Sequence, residues 1–261
     1  MIEIPPLSLA AATRLALRLQ GGEATPRRTR SAEHIARESA GNPALLRALA
    51  LELAQTSPAG ELTLPGGEGD LLRRLVRARL ARVVAEAREA LARVIAAGAL
   101  PLSRLQRAGP WQGDLRALIT QLQGQNLVQL EGQPPVVSPF DESIQLAAHK
   151  VLDPELLRHS HVVLAEALLA EHSDDSERIA RHLHAGGRVD AAVEHASAAA
   201  YAASQALAFD HAAELYRFAI ACKPPLWNLS KNCAEALVQA GRGAEAAPLF
   251  LSAADAAPPN I

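Results

Sequence analysis

The feature that most constrains this chain is a pattern that occurs twice near its C-terminus. Residues 209–225 read FDHAAELYRFAIACKPP, and residues 243–259 read GAEAAPLFLSAADAAPP. Both segments place a small residue, an aromatic residue, a second small residue and a proline at the same offsets, 34 residues apart. The matched pairs are Ala212 and Ala246, Tyr216 and Phe250, Ala219 and Ala253, and Pro224 and Pro258. This fixed offset predicts one structural unit that is used twice.

A period of 34 residues is that of the tetratricopeptide repeat, a unit of two antiparallel helices. Small residues let the two helices cross closely, and a proline ends the second helix. The preceding helices place Ala200 and Ala234 at the small position of the first helix. The tryptophan and glycine common early in such repeats are missing, so the match is strongest in the second helix of each pair. Chance alignment in an alanine-rich chain is the alternative. Stable arrays usually hold about three units, so we expect further repeats to follow in a longer protein.

Composition favours a mainly α fold. Hydrophobic residues make up 49% of the chain but aromatic residues only 3%, so small aliphatic side chains must build the core, and these suit helix packing. A net charge of -2 gives no basic field for nucleic acid. Cys222 and Cys233 match no zinc spacing and indicate buried thiols in a reducing, cytoplasmic location. The chain has no apolar run of the roughly 20 residues that a membrane span needs.

The N-terminal part of the chain predicts a helical domain over residues 1–60. The stretch GGEATPRRTR is predicted to be a loop, with Ser31 as the cap of the next helix. Asn42 is predicted to cap another helix, with Pro43 at its first position. The glycine- and proline-rich stretch TSPAGELTLPGGEG is predicted to be a linker.

Residues 68–150 predict a winged-helix domain. Asp70 begins a long helical region that we expect to break into two helices near residues 83–85, and two shorter helices follow. The sequence NLVQLEGQPPVVSPF alternates apolar residues on either side of Gly132, which is a β-hairpin signal. The last three of these helices, followed by the hairpin, describe a winged helix. The remaining residues, 151–261, predict paired helices of the tetratricopeptide type.

The order of these parts resembles the C-terminal portion of STAND-class signal-transduction ATPases. Members of this class include bacterial transcription activators of the MalT type and AAA modules fused to serine/threonine kinases. The motifs that carry the resemblance are ESAGNP, PFDESIQLAAHKVL and AFDHAAELYRFAI. It implies that residues 1–60 are a lid-like helical region, that a winged helix follows, and that an α-solenoid ends the chain.

Four residues correspond to nucleotide contacts of that family. Gly41, Asn42 and Pro43 resemble an element that packs beside the adenine, although a capped helix start explains them equally well. Asp141 matches the aspartate of a His-Asp pair whose histidine senses the nucleotide phosphate, and it is also explained as a helix cap. Phe140 replaces that histidine and cannot donate a hydrogen bond to phosphate.

The phosphate-binding machinery of an ATPase is missing from the sequence. No Gly-Lys-Ser or Gly-Lys-Thr occurs anywhere, and no apolar strand ends in paired carboxylates for magnesium. The opening IEI resembles the last strand of such a core. The arginines of PRRTRS either lie in a solvated loop or supply charge to nucleotide phosphates. We therefore expect that this chain alone is not an enzyme and has no cofactor; ATP and magnesium would belong to a full-length relative.

The other candidate sites are weaker. The histidine pairs HSH at 159–161 and HLH at 182–184 have a spacing that turns the rings to different helix faces, so neither pair can chelate a metal from one helix. The run RRLVRARLAR precedes the wing, while the predicted recognition helix carries only Arg116, so DNA binding is not favoured. No serine has the glycine-flanked turn of a hydrolase nucleophile.

The resemblance therefore implies a non-catalytic segment of a signal-transduction ATPase that acts in regulation and protein interaction. Its helical repeats would bind a protein or peptide, or would restrain an ATPase or kinase module in cis or in trans. The alternatives are a fragment of a multidomain ATP-dependent enzyme, such as an ATPase or a kinase fusion, and a transcriptional regulator.

Overall fold

The computed structural model describes residues 5–21, 25–56, 70–223 and 227–258. Helices make up 74% of this part of the chain, with one small sheet, so the predicted mainly α class is confirmed. The strand expected in IEI, the linker after Thr56 and the repeat position Pro224 lie outside the described residues.

The helices follow one another along the chain with short connections. Those of the N-terminal half are α1 Leu9–Gln20, α2 Pro26–Glu38, α3 Pro43–Thr56, α4 Asp70–Leu80, α5 Ala85–Ala97, α6 Leu102–Arg107, α7 Leu115–Gly124 and α8 Glu142–Val151. Those of the C-terminal half are α9 Pro154–Ala170, α10 Ser176–Ala185, α11 Val189–Gln205, α12 Phe209–Cys222, α13 Trp227–Gln239 and α14 Gly243–Ala256. The break expected near residues 83–85 separates α4 from α5 and is confirmed.

The chain forms two compact units. The first comprises residues 1–102 and 111–152, and the second comprises residues 103–110 and 153–261. The described helices of the predicted 1–60 and 68–150 regions belong to the first unit, apart from residues 103–107 of α6, and in this unit α2 and α3 pack against α4.

A three-stranded antiparallel sheet lies in the first unit. The predicted hairpin is present as β2 Val128–Glu131 and β3 Val136–Pro139, with Gly132 in the left-handed region at φ 84°. The sequence pattern missed β1, Leu100–Pro101, which pairs with the outer side of β3 and gives the order β1-β3-β2. Two residues, one of them a proline, are too few for a period-2 pattern to emerge.

The start of α2 differs from the prediction. The helix begins at Pro26, and the hydroxyl of Thr25 accepts a hydrogen bond from the Arg28 backbone amide. Ser31 is fully buried inside the helix, where its hydroxyl accepts a hydrogen bond from the Gln20 side-chain amide at 2.8 Å. The loop prediction for PRRTRS was therefore wrong, because a threonine cap followed by proline at the first helical position is itself a strong helix start.

In the second unit, each helix from α9 to α14 packs against the next one along the chain. The small residues of the repeat pattern lie at these crossings. All six are buried, and five of them have no exposed surface: Ala200, Ala212, Ala219, Ala234, Ala246 and Ala253. A methyl group at a crossing allows two backbones to approach closely, so these positions fix how the helices stack.

Tyr216 fills the space between the crossing alanines of α12. Its side chain is only 4% exposed, and its hydroxyl hydrogen-bonds the side chains of Ser204 and Asn232. Burial raises the pKa of this hydroxyl. The equivalent ring, Phe250 on α14, is 38% exposed because the described chain places no later helix against it.

Residues 103–110 contact the rest of the second unit through two ion pairs. The guanidinium groups of Arg104 and Arg107 both bind the Glu171 carboxylate, with nitrogen–oxygen distances of 2.9 and 2.7 Å. These hydrogen bonds lower the pKa of Glu171.

We expect the two equivalent rings to contribute differently to stability. Tyr216→Ala should lower the free energy of unfolding by about 3 kcal/mol, because it leaves a buried cavity. The matched change Phe250→Ala should cost about 1 kcal/mol or less, because half-exposed area is worth little. Urea denaturation followed by Trp227 fluorescence in a Trp111→Phe background reports on the second unit. Equal losses in the two variants would contradict the packing described for α12 and α14.

Candidate functional site

The predicted nucleotide-contact residues lie at two helix starts in the first unit. Gly41 sits in the turn between α2 and α3 at φ 77°. Its carbonyl accepts a hydrogen bond from the Leu7 backbone amide at 2.9 Å, and a Cβ atom added to it would lie 2.4 Å from the Leu7 carbonyl oxygen. Glycine is required here both by the positive φ and by the close approach of another backbone segment.

Asn42 and Asp141 are 99 residues apart in sequence and are hydrogen-bonded to each other. The Asn42 side-chain oxygen accepts from the backbone amides of Ala44 and Leu45, so it caps α3 as predicted. Its side-chain nitrogen donates to Asp141 Oδ2 at 3.2 Å. The other carboxylate oxygen, Oδ1, accepts from the Ile144 amide at 2.7 Å and caps α8. One side-chain contact thus connects the starts of two helices.

These contacts account for the four residues as structural elements. Gly41 forms the turn, Asn42 and Asp141 cap helices, and Pro43 occupies the first position of α3. The half-buried Phe140 stands beside Asp141, and its backbone amide donates to the Leu127 carbonyl. A role of Gly41, Asn42, Pro43 and Asp141 in nucleotide binding stays a prediction.

The sequence did not predict that two arginines of the first unit, Arg79 and Arg93, are buried. Arg79 is 7% exposed and donates from Nη1 to the Asn126 carbonyl at 3.2 Å. Burial lowers the pKa of its guanidinium, and the negative charges of Asp141 and Glu52 oppose that shift. In RRLVRARLAR this residue looked like one of five surface cations, although a helix of period 3.6 must turn one of them inward.

A second buried cation lies on α5. The Arg93 side chain is 3% exposed, and its guanidinium carbon lies 4.5 Å from the centre of the Trp111 ring. Glu89 is its ion-pair partner at 3.6 Å, and burial lowers the pKa of the arginine. A cation stacked on an aromatic ring at this distance contributes to packing.

The requirement for glycine at position 41 is testable. Gly41→Ala should lower the stability of the first unit by about 2 kcal/mol or more, because it adds both backbone strain and a clash with Leu7. The matched control is Gly124→Ala at the end of α7, where an added Cβ meets no atom within 4 Å and should have a neutral or slightly stabilising effect. Trp111 fluorescence in a Trp227→Phe background provides the denaturation curves. Equal behaviour of the two variants would contradict the close approach to Leu7.

Two histidines from the separate sequence pairs meet in the second unit. His161 on α9 and His182 on α10 have their Nδ1 atoms 2.9 Å apart, so one ring donates to the other. His182 is 8% exposed. Its pKa is lowered from 6.5 to about 4, chiefly by burial and then by the positive charges of His161 and Arg178, with Asp175 acting in the opposite direction. Arg104 adds a further small lowering. One histidine of each sequence pair, His161 and His182, therefore takes part in the contact between α9 and α10.

We expect this pair to make the second unit sensitive to acid. Between pH 6.5 and about 4 the unfolded chain binds a proton that folded His182 does not, so stability is complete above pH 6.5 and falls as pH drops towards 4. We expect a loss of roughly 2 kcal/mol between pH 7.5 and pH 5 from this group. Urea denaturation followed by Trp227 fluorescence at the two pH values measures it.

His182→Gln should remove most of that pH dependence, whereas His159→Gln, at an exposed position of α9, should leave it unchanged. An unaltered pH dependence in His182→Gln would show that other groups cause the acid sensitivity.

The remaining titratable residues within the described ranges form no metal-binding cluster. No group of three or more His, Cys, Asp or Glu side chains is arranged to hold a metal ion within these ranges. Cys233 is buried as predicted, and the half-buried Cys222 contacts His184 Nδ1 at 3.2 Å. Burial raises the pKa of both thiols, which disfavours the reactive thiolate. Within the same ranges, no helix combines the length and apolar character of a membrane span.

The helices of the second unit present two different faces. Ion pairs connect the second helices of successive pairs: Glu177 on α10 with His211 on α12, and Arg217 on α12 with Glu245 on α14. The hydrogen bonds from Arg242 and Arg217 lower the pKa of Glu245 to about 2. The first helices, α11 and α13, carry no such connections between them among the described residues.

The outer face of α11 and α13 carries exposed apolar groups. Tyr201 on α11 is 61% exposed, and Val238 on α13 is 48% exposed. The 34-residue offset relates Tyr201 to Glu235, one turn before Val238, so the two side chains occupy the same side of equivalent helices. Lys231 and Glu235 pair along α13 at 3.6 Å. We call these four residues the first-helix face.

Comparison with models of protein families, with curated proteins and with solved structures found no match to this chain.

Proposed function

We propose that this chain is a non-catalytic segment for regulation and protein interaction, in which the first-helix face of the second unit binds a peptide or a partner domain. The observation that carries the proposal is that Tyr201 and Val238 are exposed on the same side of two equivalent helices. The other exposed large apolar residues in the described part of this unit are Leu169, Leu207, Phe250 and Leu251. Exposed aromatic and aliphatic residues beside a mixed charged pair are typical of protein interfaces.

The burial of the crossing alanines supports the assignment of the second unit to tetratricopeptide-like repeats. In such a stack, stability comes from contacts between neighbouring helices, and the outer side of the first helices is free to vary for recognition. The contacts between α10, α12 and α14 lie on the second helices of the pairs. The proposed partner therefore approaches α11 and α13.

The first unit supports a regulatory role in the same proposal. Along the chain, α5, β1, α6, α7 and the β2–β3 hairpin follow one another in the order of a winged helix. Within the first unit β1 pairs with β3, whereas residues 103–107 of α6 belong to the second unit. The exposed side of α7 carries one cation, Arg116. DNA contact needs several cations on the docking helix, so we assign this part a spacer role rather than transcriptional regulation.

We infer that the chain in isolation, which we place in the cytoplasm, neither hydrolyses ATP nor binds it tightly. In a longer relative of the STAND type, the helices would pack against an ATPase or kinase module and restrain it. A chain without a phosphate-binding lysine should release no phosphate from radiolabelled ATP and magnesium beyond a boiled control. Release above that control would overturn the assignment as non-catalytic.

Selection of displayed random peptides on the purified chain tests the role of the first-helix face. Fluorescence anisotropy then measures the affinity of each selected peptide for the wild type and for Tyr201→Ala and Val238→Ser. We expect at least about a tenfold loss for both variants, because exposed anchors dominate interface energies. The control is Leu207→Ser, which changes an apolar residue that is 74% exposed but lies in the turn between α11 and α12.

Failure to select any peptide, or peptides that bind Tyr201→Ala and Val238→Ser as well as the wild type, would overturn the proposed interaction face. A loss with Leu207→Ser equal to that of the other variants would show a general surface effect instead.

A further inference from the structure

A cavity in the first unit is separate from the first-helix face. It lies between α2, α4 and α8 and has a volume of about 350 Å³. This volume is within the usual range of small-molecule sites, roughly 300–1,000 Å³. Its lining consists of His34, Arg37, Glu38, Leu72, Arg73, Ser143, Leu146, Ala147 and Lys150.

The charge of the cavity is positive. Three cations line it, Arg37, Arg73 and Lys150, against one carboxylate, Glu38. The Glu38 side chain is 5% exposed and is already engaged: it accepts from the backbone amides of Leu71 and Leu72 at the start of α4. The positive end of the helix dipole stabilises a carboxylate in this position and offsets part of its charge, which reduces the repulsion between Glu38 and a bound anion.

The cations are only partly neutralised by neighbours outside the cavity. Arg73 pairs with Asp70 at 3.2 Å, and Arg37 pairs with Glu33 at 3.5 Å in a contact that is largely exposed to solvent. Lys150, at the end of α8, has no ion-pair partner among the described residues. Arginine and lysine groups that converge on one cavity are suited to phosphate, which accepts several charge-assisted hydrogen bonds.

The rest of the lining is apolar. Leu146 projects from α8 with 58% of its surface exposed, and Leu72 and Ala147 lie beside it in the same cavity. Ser143, one turn earlier on α8, adds a hydroxyl group to the lining. An anion with no apolar part would leave Leu146 in contact with water, whereas a ring or short chain would cover it.

We propose that this cavity binds a small, water-soluble phosphate monoester with an apolar body about the size of one ring. The phosphate lies among Lys150, Arg73 and Arg37, and the apolar body lies against Leu146 and Leu72. A ligand in this cavity contacts α2, α4 and α8 together. Its binding is thereby linked to the first unit and to the regulatory role proposed for that unit.

Phenyl phosphate is a suitable probe, with inorganic phosphate and phenol as comparison ligands. Backbone amide chemical shifts of the full chain, measured during titration, give the affinity and identify the residues affected. We expect saturable shifts in α2, α4 and α8 with phenyl phosphate, and binding at least about fivefold weaker with either comparison ligand. Equal binding of inorganic phosphate would overturn the apolar part of the site, and equal binding of phenol would overturn the anionic part.

Lys150→Gln should weaken phenyl phosphate binding about fivefold or more, and Leu146→Ser should weaken it while leaving inorganic phosphate unaffected. Both residues are exposed on α8, so the variants should fold, which far-UV circular dichroism checks. The control Arg88→Gln removes an exposed cation of α5 that does not line the cavity. Absence of saturation in the wild type, or equal affinities for the wild type and Lys150→Gln, would refute the site.

Discussion

Close helix crossing through alanine is the interaction on which the second unit depends. A chain with 3% aromatic residues cannot fill a core with large rings, so it must bring its helices close together instead. Ala212 and Ala219 on α12, with Ala234 on the following helix, have no exposed surface. Tyr216 then fills the space that the methyl groups leave. Because each helix pair contacts only its neighbours, this local rule is sufficient to build the whole stack.

The first unit buries an apolar core that includes Ile35, Leu91 and Ile119, and polar contacts between residues distant in sequence add to it. Glu38 accepts hydrogen bonds from the start of α4, more than 30 residues later, and Asn42 bonds Asp141 across 99 residues. Arg79 bonds the backbone at Asn126. Each contact satisfies a buried or capping group that would otherwise be left unpaired at a cost. Glu38 is the carboxylate that lines the cavity between α2, α4 and α8, and it is engaged in capping α4.

Local sequence signals predicted the elements better than the contacts between them. The caps at Asn42 and Asp141 and the hairpin around Gly132 were predicted because a few adjacent residues determine them. The Asn42–Asp141 bond and the His161–His182 contact were not, because no local pattern indicates which helices will pack together. The cavity was missed for the same reason, since its lining comes from three helices that are far apart in the chain.

The most direct test of the central claim is to enlarge the crossing alanines one at a time. Ala212→Leu, Ala219→Leu and Ala234→Leu should each lower the free energy of unfolding by about 1–3 kcal/mol, because the helices have no room for a larger side chain. Ala198→Leu, at an exposed position of α11, should have little effect. Calorimetric unfolding of the four variants provides the comparison. If the three buried substitutions are as well tolerated as the exposed one, the helices do not pack through alanine and the account is wrong.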